Sequence, residues 1–172
     1  MTQTHLITYE RLRELISYDP ETGIFTWLVS RTGPRSENNR AGRIDRNRYN
    51  AISINDRRYP AHRLAWLLMT GSWPKSQIDH RNGDPSDNRF ENLREATPSQ
   101  NQANQRRSRA NKLGLKGVSK KKSKKNIKRP FVAQIRANGK TLHIGYYATA
   151  AEAHAAYVAA AREHFGEFAR SE

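Results

Sequence analysis

The chain has 172 residues, enough for one ordinary domain or two small ones. It has no cysteine, which excludes disulfides and thiolate zinc sites. Its longest apolar run, around LAWLLM, is too short to span a bilayer. The N-terminus, MTQTHLITYE, shows neither a basic n-region nor an apolar h-region, so an intracellular protein without a membrane partner is expected.

The net charge is +15, and its placement matters more than its size. From Ala96 to Ala151 there is no Asp or Glu, and those 56 residues hold 14 Lys and Arg. The rest of the chain carries the other 17 basic residues against 16 acidic ones and is nearly neutral. A block this one-sided repels itself unless a polyanion neutralises it, and nucleic acid is the polyanion it points to. A disordered basic tail or a membrane-surface patch is the competing reading. Periodicity inside the block counts against both.

In chain order, TYERLRELIS (8–17) has Leu12, Leu15 and Ile16 on one helical face. GIFTWLV (23–29) reads as a strand and RTGPRSENNR (31–40) as a polar loop. Residues 42–60 read as two or three short strands, with Asn55-Asp56 as a two-residue turn that puts Ile52, Ile54 and Tyr59 on one face. The five arginines 43, 46, 48, 57 and 58 suit a solvated face and a phosphate-contacting one equally. AHRLAWLLMTG (61–71) is a buried helix between Pro60 and Gly71. His62 opens it, either as a hydrogen-bonded structural histidine or as part of a site.

IDHRNGDPSDNRFENL (78–93) has an acid–histidine pair at its first end, a loop of Asp, Asn and Gly, and Asn92 at its far end. Thr97 and Gln100 form a capping-box pattern with Pro98 at the first helical position, so a helix starts near 98 with Asn101 in its first turn. Residues 106–115 read as a basic linker. FVAQIRA, Asn138-Gly139 and KTLHIGY form a hairpin with a type I′ turn. A regular register then pairs Ile135 with Leu142, Ala133 with Ile144, and Phe131 with Tyr146 on one side. Gln134, Arg136, Thr141 and His143 take the other side. GVSKK (117–121) offers a third strand. A helix capped by Thr149 and Glu152 puts Ala153, Tyr157, Ala160, Ala161 and His164 on one face and ends near Gly166.

Asp79-His80 admits two readings, a solvated turn or a reaction site. A histidine near neutral pKa can take a proton from water attacking a phosphate. A carboxylate and an amide oxygen are hard ligands suited to Mg²⁺. A further amide can fix the imidazole through one ring nitrogen. Neighbours on a strand point to opposite faces, so Asp79 and His80 share a site only if the cleft wraps around the strand end.

HRLAW, IDHRNGDPSDNRFENLREAT and the Asn-rich helix start together resemble HNH endonucleases of the phage homing type, over roughly residues 20–105. His80 to Asn92 is 12 residues and His80 to Asn101 is 21. The resemblance implies a beta-beta-alpha-metal fold. It implies Asp79 and Asn101 as ligands of Mg²⁺, Mn²⁺ or another divalent cation, His80 as general base, and Asn92 as the residue that orients it. Asn88 is the alternative to Asn92, and Asn104 to Asn101. Asn101 stands where histidine often does, which leaves the metal's identity open.

KGVSKK and FVAQIRANGKTLHIGYYATAAEAHAAYVAAAREHFGEFA resemble the APETALA/ethylene-response-factor DNA-binding domain, over roughly residues 113–169. That resemblance implies DNA contacts from the open sheet face through Lys116, Lys120, Gln134, Arg136, Lys140 and His143. Histidine at 143 and glutamine at 134 depart from the usual residues, so no base preference carries over.

The expected fold class is α+β. An HNH nuclease domain (1–105) precedes a basic linker (106–115) and a three-stranded antiparallel sheet packed on one helix (116–172). The expected function is divalent-metal-dependent hydrolysis of double-stranded DNA, by nicking or double-strand cleavage, by a monomer or homodimer, in the cytoplasm of a bacterial host if the protein is phage-encoded. No small-molecule substrate is expected. The alternative is a non-catalytic DNA-binding regulator on a nuclease-derived scaffold, against which stands the presence of all four site residues. An RNA-binding protein would need stacking aromatics on the open sheet face.

Overall fold

The computed structural model describes residues 6–30, 39–108, 110–121 and 127–171. Most of the polar loop expected at 31–40 lies outside them. The chain forms two compact units, Met1–Glu95 and Ala96–Glu172.

In the first unit, helix α1 (Tyr9–Leu15) is capped by Thr8, whose hydroxyl accepts from the Arg11 N–H at 3.2 Å. The helix expected through residue 17 stops at Leu15, and Ile16–Asp19 form strand β1 instead. From Ile16 onward apolar and polar residues alternate, a strand period, and β-branched Ile16 takes extended backbone. β1 pairs antiparallel with β2 (Ile24–Trp27), from Ile16↔Trp27 to Asp19↔Ile24. β3 (Arg43–Ile44), β4 (Asn50–Ile54) and β5 (Arg57–Pro60) form a second antiparallel sheet. The Asn55-Asp56 turn has φ of 48° and 60°, as type I′ requires. It pairs Ile52 with Tyr59 and buries Ile52, Ile54 and Tyr59 together. Helix α2 (Ala61–Thr70) buries Ala61, Leu64, Ala65 and Leu67 and leaves Met69 exposed. Left-handed Gly71 closes it by donating to the Leu67 carbonyl at 2.9 Å. Leu12, Ile16, Phe25, Ile52, Leu64 and Leu67 are its largest fully buried side chains. On this core sit β6 (Gln77–His80) and β7 (Leu93–Ala96), which pair in a two-stranded sheet.

The second unit begins with helix α3 (Pro98–Asn104), which carries the full Thr97/Gln100 capping box. Its sheet has the order β10 (Lys140–Tyr147), β9 (Phe131–Ala137), β8 (Val118–Lys120). Helix α4 (Ala150–Phe165) covers one side.

Four expectations for this unit are revised. The boundary falls at 95/96 rather than near 105, because the α3 segment is built into the second unit. The Lys116 ammonium donates to the Ala103 and Gln105 carbonyls at 2.5 Å each, and the Ser99 hydroxyl accepts from the Asn138 N–H at 2.9 Å. The stretch expected to be a linker is in part structured: Leu113 and Leu115 pack on the core, and Asn111 donates to the Leu115 carbonyl at 2.6 Å. The hairpin register holds from Ala137↔Lys140 to Gln134↔His143, then slips at a bulge, so Ala133 faces Gly145 and Phe131 faces Tyr147. Finally, Phe165 and not His164 completes the buried face of α4, at the i, i+4 spacing of Ala153, Tyr157 and Ala161.

Candidate active site

His80 ends β6, where the buried run Ile78, Asp79, His80 enters the 81–92 loop. Asp79 and His80 are only 4% and 5% exposed, and strand alternation gives them different neighbours. The Asp79 Oδ2 accepts from Arg94 Nε at 2.9 Å, a buried ion pair across to β7. The His80 ring meets His62 edge-on (centroids 5.2 Å, 82°) and Tyr49 (6.1 Å, 64°), and its Nε2 lies 3.4 Å from Asn88 Oδ1. Burial pushes the His80 imidazole below the ordinary histidine range, against the opposing pull of Asn88 and of the Asp79, Asp87 and Asp84 carboxylates. The ring is therefore neutral near pH 7. Burial, with His80 and Arg63 nearby, brings His62 down to about 3.

The loop is a tight lattice rather than a loose turn. Asn92 binds both sides of it: its Oδ1 accepts from the Asn82 N–H at 3.0 Å and its Nδ2 donates to the Asp87 carbonyl at 2.8 Å. Asn82 and Asp84 cap short turns, and Ser86 donates to Asp84 at 2.6 Å. Arg89 grips Asp87 and holds its carboxyl down at about 2. From outside the loop, Arg48 reaches Asp84 at 3.0 Å, and the Tyr18 hydroxyl donates to the Asn88 carbonyl at 2.7 Å. Gly23 permits close approach of the β1–β2 turn, since a Cβ there would lie 2.6 Å from the Arg89 nitrogen.

Residues 59–103 match the HNH endonuclease family. This segment runs from the end of β5 through β6, the loop, β7 and most of α3. A 59-residue stretch is also 39% identical to Protein 3.8 of Escherichia phage T7, covering 34% of this chain and 49% of that protein. The chain thus spans about half the length of the curated relative it matches. No solved structure matches. The family match supports an HNH-type nuclease, the second match a relation to a bacteriophage protein, and the mixed α/β architecture with small sheets fits the HNH family. No helix among the described residues is long and apolar enough to cross a membrane.

Of the residues singled out in the HNH segment, Asp79, His80 and Asn92 lie within one short stretch of the first unit. Asn101 belongs to the second unit, in the first turn of α3, where its N–H bonds the Thr97 carbonyl at 2.9 Å. The alternative Asn104 is buried at the end of the same helix. The alternative Asn88 is the amide that faces the His80 ring, while Asn92 staples the loop. No group of three or more His, Cys, Asp or Glu side chains gathers as a metal cage among the described residues. The donors expected from the sequence, one carboxylate and amide oxygens, are of the kind that suits Mg²⁺, which binds through one or two carboxylates and is completed by substrate phosphates. Sequence reasoning missed Arg94 and Tyr49, and placed Arg48 on a basic sheet face without its bond to the loop. Only Arg48 carries a local signal, a left-handed backbone (φ 68°) in the turn between β3 and β4.

In the second unit Gln134 opposes His143 and Arg136 opposes Thr141 on the open face, all four exposed. Lys140 is exposed at the turn, and Lys120 is exposed on β8 with its ammonium 5.7 Å from the Phe131 ring. Lys116 is half-buried on the α3 carbonyls, and burial lowers its ammonium to about 8. The bulge leaves Tyr146 exposed with its ring 4.5 Å from His143, and Lys121 sits 4.1 Å over that ring.

Proposed function

We propose that the protein is a divalent-metal-dependent DNA endonuclease of the HNH type, with His80 as general base and the C-terminal sheet as its DNA-binding part. The observation that carries this reading is His80 itself: a buried, neutral imidazole held among Tyr49, His62 and Asn88 inside the HNH-matching segment. An amide oxygen only accepts, so in the Asn88 contact Nε2 bears the proton and the lone pair sits on Nδ1. His80 takes a proton from the water that attacks phosphorus. Asn92 keeps the loop closed behind it, and Asn88 orients the ring.

Asp79 is the residue of the first unit that would hold the ion. When bound, the ion neutralises charge on the scissile phosphate and on the departing 3′ oxygen. Arg94 holds the Asp79 carboxylate in place. The same pair is the one observation that favours a binding-only regulator, because a cation already occupies Oδ2.

Gln134, Arg136, Lys120, Lys140 and His143 contact DNA, mostly its backbone, and Lys116 positions α3. A homing role in a phage, with a 5′-phosphate and a 3′-hydroxyl at the cut, completes the reading. The test is relaxation of supercoiled plasmid in Mg²⁺ and in chelator. Nicks that form only with the metal and are resealed by DNA ligase support it. Tight DNA binding without cutting in Mg²⁺, Mn²⁺ or Co²⁺ favours the regulator.

A further inference from the structure

Beside His80, the β3–β4–β5 sheet and the start of α2 form an open cavity of about 380 Å³, lined by Tyr49, Asn50, Arg58 and His62 among others. That is the size of a small-ligand site and far more than one water occupies. Two of its lining side chains have buried polar atoms with no hydrogen-bond partner among the described residues: Asn50 Oδ1 and His62 Nδ1. Buried polar atoms are nearly always paired, so two unpaired ones in the wall of one cavity set it apart from ordinary packing. The Asn50 amide is fitted in deliberately. It lies against Gly42, where a Cβ would come within 2.3 Å of Oδ1 and where φ is +102°. Tyr49 adds a ring that is 42% exposed, and the Arg58 guanidinium stands at the rim beside Asp45 (3.5 Å).

We propose that this cavity is a subsite for a single nucleobase of the DNA, that of a nucleotide flanking the phosphate to be cut. The chemistry is that of base recognition outside the stack: an aromatic face, an amide and an imidazole for a polar edge, and a guanidinium for the adjoining phosphate. Position agrees, since the Tyr49 and His62 rings that line the cavity are the ones in contact with the His80 ring. An occupant therefore packs against the same two rings that touch the proton acceptor. The inference rests on the nuclease reading of His80.

The test uses the full chain and a duplex spanning a mapped cut, with each nucleotide near the cut replaced in turn by an abasic analogue. Tyr49→Ala is expected to cut the intact duplex at least tenfold more slowly than wild type. At one flanking position, loss of the base should bring wild type and variant within about twofold of each other, because the variant then has nothing left to lose. Asn50→Ala should behave in the same way. The inference is overturned if the tenfold gap persists at every abasic position, which would make Tyr49 a support for His80 only. It is equally overturned if Tyr49→Ala and Asn50→Ala cut intact DNA at the wild-type rate. If the wild type itself does not cut, the nuclease reading fails first and takes the subsite with it.

Discussion

His80 gains its chemistry from where the chain buries it. An exposed histidine titrates near neutrality, but this one is walled by two rings and an amide and stays neutral as an acceptor. The loop beneath it depends on single carboxylates, and Asp87 is the clearest. Its hydrogen bonds with Arg89 hold the folded-state pKa at about 2, below the ordinary 3.8. A depressed carboxylate contributes stability that is complete above its unfolded pKa and is lost as the pH falls through its folded one. Asp87 is thus expected to stabilise the fold above about pH 4 and to stop doing so near pH 2. The pair is partly solvated, so the effect should be ~1 kcal/mol at most. Thermal unfolding of wild type and Asp87→Asn should differ by about that amount at neutral pH, and the gap should close as the pH approaches 2.

At the scale of elements, the β1–β2 turn buttresses the loop from outside. Gly23 has φ +71° and no room for a Cβ against the Asn88–Arg89 backbone. Gly71 has φ +73° but nothing within 4 Å. Alanine at either position should cost about 1–3 kcal/mol from the backbone alone. Only Gly23→Ala should also slow cutting, because it displaces Asn88 from the His80 ring. Cleavage rates measured where both variants remain folded check this, with Gly71→Ala expected near wild type. The elements also show what was legible in advance. The Asn55-Asp56 turn was, because those side chains tolerate the left-handed backbone it needs. So was the capping box on α3, which is local chemistry written in three residues. The spacing of His80 and Asn92 marked the loop's two ends, and the structure shows what lies between: Asn92 as staple, Asn88 as the ring's neighbour. Strand β1 was hidden because Ile16 fits a helical and a strand pattern equally. The bulge at Ile144–Gly145 and the Asp79–Arg94 pair depend on tertiary packing and leave no local mark.

For the whole molecule, charge is divided unevenly. Residues 96–172 hold 16 Lys and Arg against 4 Glu, so the second unit carries most of the excess. On the nuclease reading, binding should weaken linearly in log–log plots against salt, as counterion release demands. Arg136→Ala combined with Lys140→Ala should lower that slope by about 2 while leaving the cut positions unchanged. The two rings on the open face, His143 and Tyr146, make RNA a fair competitor, and duplex DNA should outcompete an RNA of equal length if the sheet serves the nuclease. The central claim is that His80 performs the chemistry and not the binding. Single-turnover cleavage of supercoiled plasmid in Mg²⁺, at protein concentrations that saturate the DNA, tests it most directly. His80→Ala is predicted to bind DNA as wild type does and to cut at least about 100-fold more slowly. Equal cutting rates for the two proteins would contradict the account.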